Sequence, residues 1–112
     1  MKAELVSHLD FTFSVLNPED RLRVIVIVIV IVWKIPLPEG EKYPQGLKFS
    51  LIAFLISNPE DSILVDCHPP KGPHFHMNGL ETNIEWVGFD ETEKLFWQLV
   101  GSKFGIIQDG GI

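Results

Sequence analysis

Between residues 9 and 15, Leu9, Phe11, Phe13 and Val15 alternate with Asp10, Thr12 and Ser14. A period of two sends successive side chains to opposite faces, so this stretch predicts a strand with one face buried. Asn17-Pro18-Glu19-Asp20 then predicts a turn, because proline presets φ and the Asn and Asp side chains bond nearby backbone. The next run, Val24 to Trp33, reads VIVIVIVIVW, ten apolar residues without a break. Nine of them, Val24 to Val32, are β-branched, and a stiff χ1 suits a pleated surface. The run therefore predicts a central strand from about Leu22 to Ile35, buried on both faces. It is too short for a membrane helix, which needs ~20 residues. It also lacks the apolar–polar alternation of a membrane barrel strand. Arg21, Arg23 and Lys34 flank it as charged gatekeepers against aggregation.

Pro36, Pro38, Gly40, Pro44 and Gly46 make residues 36–46 the longest irregular loop. Leu47 to Ser57 predicts another apolar strand. The tetrapeptide NPED returns at Asn58 to Asp61 and predicts a second turn, a recurrence that convergent turn chemistry explains better than duplication. Strands follow at about 62–68, 74–77 and 80–87, the last two joined by Asn78-Gly79, whose residue types favour a two-residue type I′ turn. One helix closes the chain: Asp90 and Glu93 form a D-x-x-E capping pair, and Phe96, Leu99, Val100 and Phe104 recur at helical spacing. Gly105 can end it in a left-handed cap. The pattern predicts a single α+β domain over residues 1–105 with a tail at 106–112. Its core is an antiparallel, meander-like β-sheet of five to six strands with one C-terminal helix packed on one face. One helix cannot cover both faces of such a sheet; strong sheet curvature or a second subunit would cover the open one, and a homodimer is the expectation.

Composition adds limits. The 112 residues carry nine Lys and Arg against fifteen Asp and Glu, a formal charge of −6, with no basic run. That balance repels nucleic acid, and no DNA partner is expected. The lone cysteine, Cys67, excludes an intrachain disulfide and fits a reducing compartment. MKAELVSHLD carries Glu4, His8 and Asp10 where a secretory signal needs an unbroken apolar core. The expectation is an untargeted, cytoplasmic protein without a membrane segment.

Candidate chemistry concentrates in DCHPPKGPHFH, residues 66–76. The Asn78-Gly79 turn sets Met77 opposite Leu80, His76 opposite Glu81, Phe75 opposite Thr82 and His74 opposite Asn83. If residues 69–73 form the preceding loop, His68 pairs with His74, Cys67 with Phe75, Asp66 with His76 and Val65 with Met77. Opposed residues share a face. One face then carries Val65, Cys67, Phe75, Met77, Leu80, Ile84 and Trp86, and the other carries Asp66, His68, His74, His76, Glu81 and Asn83. Two chemistries suit the polar face. His74 and His76 could be the acid–base pair of a metal-independent endoribonuclease, since histidine titrates near neutral pH, with Lys71 stabilising charge on a phosphate. Alternatively His68, His74, His76 and Asp66 could hold Zn²⁺ or another divalent metal without catalysis, with Glu81 orienting a ligand histidine. A third reading is a structural module whose apolar strand assembles a dimer.

Asp66-Cys67-His68, then Lys71-Gly72-Pro73-His74-Phe75-His76, then Asn78-Gly79 before a short strand and closing helix, resemble the TumE-like toxins of prokaryotic type II toxin–antitoxin modules. The resemblance spans roughly residues 22–104, and its specific part is 66–79. It implies a small α+β toxin, silenced by a cognate antitoxin protein, with RNA cleavage as a candidate route to growth inhibition. Asp66, His68, Lys71, Gly72, His74 and His76 are the motif positions that carry over. The family often has a further histidine where this chain has Pro73, and its members are commonly less acidic.

Overall fold

The computed structural model describes residues 3–16, 22–69 and 71–105. Six strands form one antiparallel sheet in chain order: β1 (Glu4–Leu16), β2 (Arg23–Lys34), β3 (Leu47–Leu55), β4 (Asn58–His68), β5 (Gly72–Met77) and β6 (Leu80–Asn83). The helix α1 (Phe89–Phe104) packs on one face. The α+β meander expected from the hydrophobic pattern is thus the fold. The first NPED turn and the tail at 106–112 lie outside the described residues. No helix among the described residues is long and apolar enough to cross a membrane.

The valine–isoleucine run makes the two faces of the sheet unequal. Val26, Val28, Val30 and Val32 are buried, and they meet Leu51, Ala53, Phe49, Ile63, Val65 and Cys67 beneath the helix. Ile27, Ile29 and Ile31 point the other way and stay half-buried, and Ile25 is exposed. The strand expected to be buried on both faces is therefore fully buried on one. It also lies second from the edge, between β1 and β3, rather than at the centre.

The helix buries Thr92, Phe96, Val100 and Phe104, a single stripe at four-residue spacing. Its start differs from the expected capping pair. Gly88 takes the N-cap, Asp90 and Glu91 fall in the first turn, and Thr92 Oγ1 donates to the Gly88 carbonyl at 3.1 Å. The acids act there on the helix dipole rather than as a cap box. Gly105 closes the other end with φ 104° and ψ 179°, an extended positive-φ conformation rather than the left-handed cap expected. Lys103 pins that end to the sheet, reaching Asp61 Oδ1 at 2.7 Å and Asn78 Oδ1 at 2.8 Å. Trp97 stacks on Phe11 and Trp86 on Phe49, so both tryptophans border the core.

Two local expectations change. The second NPED is not the turn: Ile56 and Ser57 make the β3–β4 connection, and NPED opens β4. Leu55 pairs with Asn58 while Phe54 pairs with Ser62, so three residues of that tetrapeptide bulge out of the ladder. The last strand is also shorter than 80–87. It ends at Asn83, leaving Ile84 and Trp86 to pack against the core from the following loop. Leu80, assigned to the apolar face, is 70% exposed because the edge strand runs beyond the core there.

Candidate metal centre

Asn78 (φ 56°) and Gly79 (φ 78°) make the left-handed pair that a type I′ turn requires, and this fixes β5 against β6. His74 pairs with Asn83, Phe75 with Thr82, His76 with Glu81 and Met77 with Leu80, as the sequence predicts. The β4–β5 hairpin is different. Asp66, not His68, pairs with His74; Leu64 pairs with His76, Val65 with Phe75, Ile63 with Met77, and Cys67 with Pro73. The ladder is displaced by two residues from the expected one. Gly72, at φ 77°, already pairs with His68, so β5 pairing begins two residues before the end of the expected 69–73 loop. A displacement of two preserves the faces, and the polar set still lies on the side away from the helix.

There the sheet brings His74, His76 and Glu81 together, with one possible ligand atom from each lying within 4.8 Å of the others. Asp66 and Lys71 complete the patch. His74 Nε2 stands 2.9 Å from Asp66 Oδ1, and His76 Nε2 stands 3.7 Å from Glu81 Oε1. Lys71 Nζ donates to Glu81 Oε1 at 3.0 Å. The two imidazoles meet edge to face, their centroids 4.9 Å apart. His68 is exposed and stands outside this group, so the expected ligand set of His68, His74, His76 and Asp66 is not what the fold assembles. Glu81 takes the place given to His68, because the type I′ turn sets it opposite His76.

His74 is 3% exposed although it lies on the sheet's open face. Its Nδ1 is 2.9 Å from the Gly72 carbonyl, an acceptor, so Nδ1 carries a proton. In the neutral ring Nε2 then presents a lone pair toward Asp66 Oδ1. That oxygen is buried, has no hydrogen-bond partner among the described residues, and stands 2.9 Å from Nε2. A proton on Nε2, pairing an imidazolium with the carboxylate, or a bound metal ion would each satisfy two such groups held this close.

Electrostatics favour keeping Glu81 ionised. The hydrogen bond from Lys71 is the largest influence and holds its carboxyl below the usual range; burial opposes it, and the charges of Lys71, His74 and His76 add smaller lowering effects. A groove of about 370 Å³ opens beside His76, bounded by Glu60, Asp61, Ser62, Asn78 and Lys103. Its lysine is already paired with Asp61, which leaves the groove a poor host for phosphate.

Cys67 faces the core and is no ligand. Burial, and secondarily the charge of Asp66, pushes its thiol up to about 11. The native protein should therefore resist thiol reagents at pH 8, with one thiol becoming reactive on unfolding. Because the folded value is raised, this contribution to stability is complete below the thiol's ordinary pKa. It drains away as pH rises toward about 11, which urea titrations across that window would show.

Sequence reasoning missed the depth at which His74 is held and the unpartnered Asp66 oxygen. Neither has a sequence signal beyond the alternation that put both residues on one face. Comparison of the chain with family models, curated proteins and solved structures finds no match.

Proposed function

We propose that the protein binds a divalent transition metal, Zn²⁺ being the ion that best suits two imidazoles and a carboxylate, through His74, His76 and Glu81. Asp66 stands beside His74, outside that group of three. The observation that carries this reading is the convergence of one ligand atom each from His74, His76 and Glu81 to within 4.8 Å of one another. The Gly72 carbonyl fixes that ring's tautomer, as carbonyls do behind ligand histidines. After chelator treatment, titration with Zn²⁺ should show one ion bound per chain. Free metal at 100 times Kd should raise Tm by on the order of 10 °C. Absence of both bound zinc and a thermal shift would overturn the reading.

A second reading is a TumE-like toxin that is silenced by an antitoxin and cleaves RNA with His74 and His76. One observation favours it: Asp66, Lys71, His74 and His76, four of the residues that carry the resemblance, converge on a single patch. Weighing against it, His74 is almost fully enclosed, Lys71 is tied to Glu81, and the neighbouring groove is acidic. A general acid–base pair must reach substrate protons, and only His76 is accessible enough to do so.

A further inference from the structure

The face of the sheet away from the helix has rows that run straight across the strands. One row reads His8, Ile31, Ser50, Asp66, His74; the next reads Asp10, Ile29, Ile52, Leu64, His76. Within these rows β1 and β5 stand at equal distances on either side of β3. Ile27, Ile29, Ile31, Ile52, Phe54 and Leu64 form an apolar centre between them, all half-buried. His8 and Asp10 are exposed, and neither has an ion-pair partner among the described residues.

We infer that a second copy of this chain docks face to face on this surface and completes the metal centre, its Asp10 and His8 meeting His76 and His74. The inference rests on the metal reading given above. A two-fold axis parallel to the strands and centred on β3 lays the partner's β1 over β5 while leaving each row at its own height. The partner's Asp10 then lies over His76, and the partner's His8 lies over Asp66 and His74. Aligned sheets cross at about 30°, which displaces a strand ~10 Å from the axis by one to two residues, the interval separating His8 from Asp10. One end of the dimer site thus gains a carboxylate or an imidazole, the fourth ligand that a closed zinc site needs.

Charge and area agree with this occupant. A divalent ion held by His74, His76 and Glu81 gives this patch the positive charge that the partner's Asp10 carboxylate complements, so with metal the surface is complementary to itself under the two-fold, as an isologous interface must be. Five strands ~4.8 Å apart and the eight-residue rise from Ile25 to Trp33 give roughly 500 Å² per copy, hence roughly 1,000 Å² in all. That lies at the lower bound for a specific contact, and two shared metal ions would secure it.

The test is sedimentation of the full chain with Zn²⁺ and with chelator, alongside the double variant His8→Ala, Asp10→Asn. Both substituted positions are exposed, so circular dichroism should be unchanged. The expected result is a dimer holding two zinc ions, which chelator dissociates, and a double variant with at least ~10-fold weaker zinc binding and dimerisation. Zinc held by a monomer, or with unchanged affinity in the double variant, would overturn the shared site and leave the metal reading standing. A dimer that persists in both chelator and the double variant belongs to another surface, such as the β1 edge, and also overturns it. Wild-type protein that binds no zinc removes the metal reading and this inference together.

Discussion

His76→Ala should abolish zinc binding and leave the apoprotein folded. The side chain is half-exposed on the open face, and its Nε2 points toward Glu81 without supporting the core. Substitutions at such positions alter stability by ~0.5 kcal/mol or less. Removing a group behind a ligand weakens metal binding 10–100-fold, so loss of a ligand itself should cost at least ~100-fold, read by calorimetric titration with Zn²⁺. Lys71→Ala separates the two functional readings. Lys71 is bound to Glu81, and its removal frees that carboxylate for a metal, so zinc affinity should hold or rise. If Lys71 instead stabilised charge on a phosphate, the same change would suppress growth inhibition on expression while leaving zinc affinity untouched. An unaltered zinc titration in His76→Ala would sink the proposed centre outright.

The hairpin that carries this centre shows how far a sequence pattern reaches. Asn78-Gly79 admits one turn geometry, so every pair between β5 and β6 could be deduced from two residues. The β4–β5 loop has no such residue pair. Apolar alternation there distinguishes faces but not ladders offset by two, since each such offset returns the same side chains to the same side. Gly72 decides the matter by taking a positive φ and ending the turn two residues earlier than Pro73 suggests. The consequence is chemical. Asp66 comes to His74 instead of His76, and His68 is carried away from the cluster.

Other features lay beyond the pattern for different reasons. The Val24–Val32 run is apolar on both sides, so its sequence alone cannot say which side is covered. The single helix chooses the valines and leaves the isoleucines half-exposed. At the second NPED, turn-forming residues are absorbed as a bulge because Ile56-Ser57 already reverses the chain. The burial of His74 reflects its packing among Asp66, His76 and the Gly72 carbonyl, three neighbours contributed by register and loop geometry.

The largest loss of stability is expected from Phe96→Ala. Phe96 is fully buried at the middle of the helix stripe, lies edge-on to Trp97, and belongs to the cluster containing Val15, Leu51 and Val65. Truncation there removes apolar burial and leaves a cavity that a sheet held by continuous ladders cannot collapse to fill. The cost should be about 3–5 kcal/mol, a large share of the ~5–15 kcal/mol that holds a domain of this size together. Phe75→Ala should cost less, because Phe75 is only partly buried near the end of the core. Leu80→Ala, at an exposed edge position, should fall within ~0.5 kcal/mol of wild type. Urea denaturation of the three variants should therefore rank them Phe96, Phe75, Leu80 in descending cost. A loss below ~1 kcal/mol at Phe96 would mean that the helix does not hold the valine face shut.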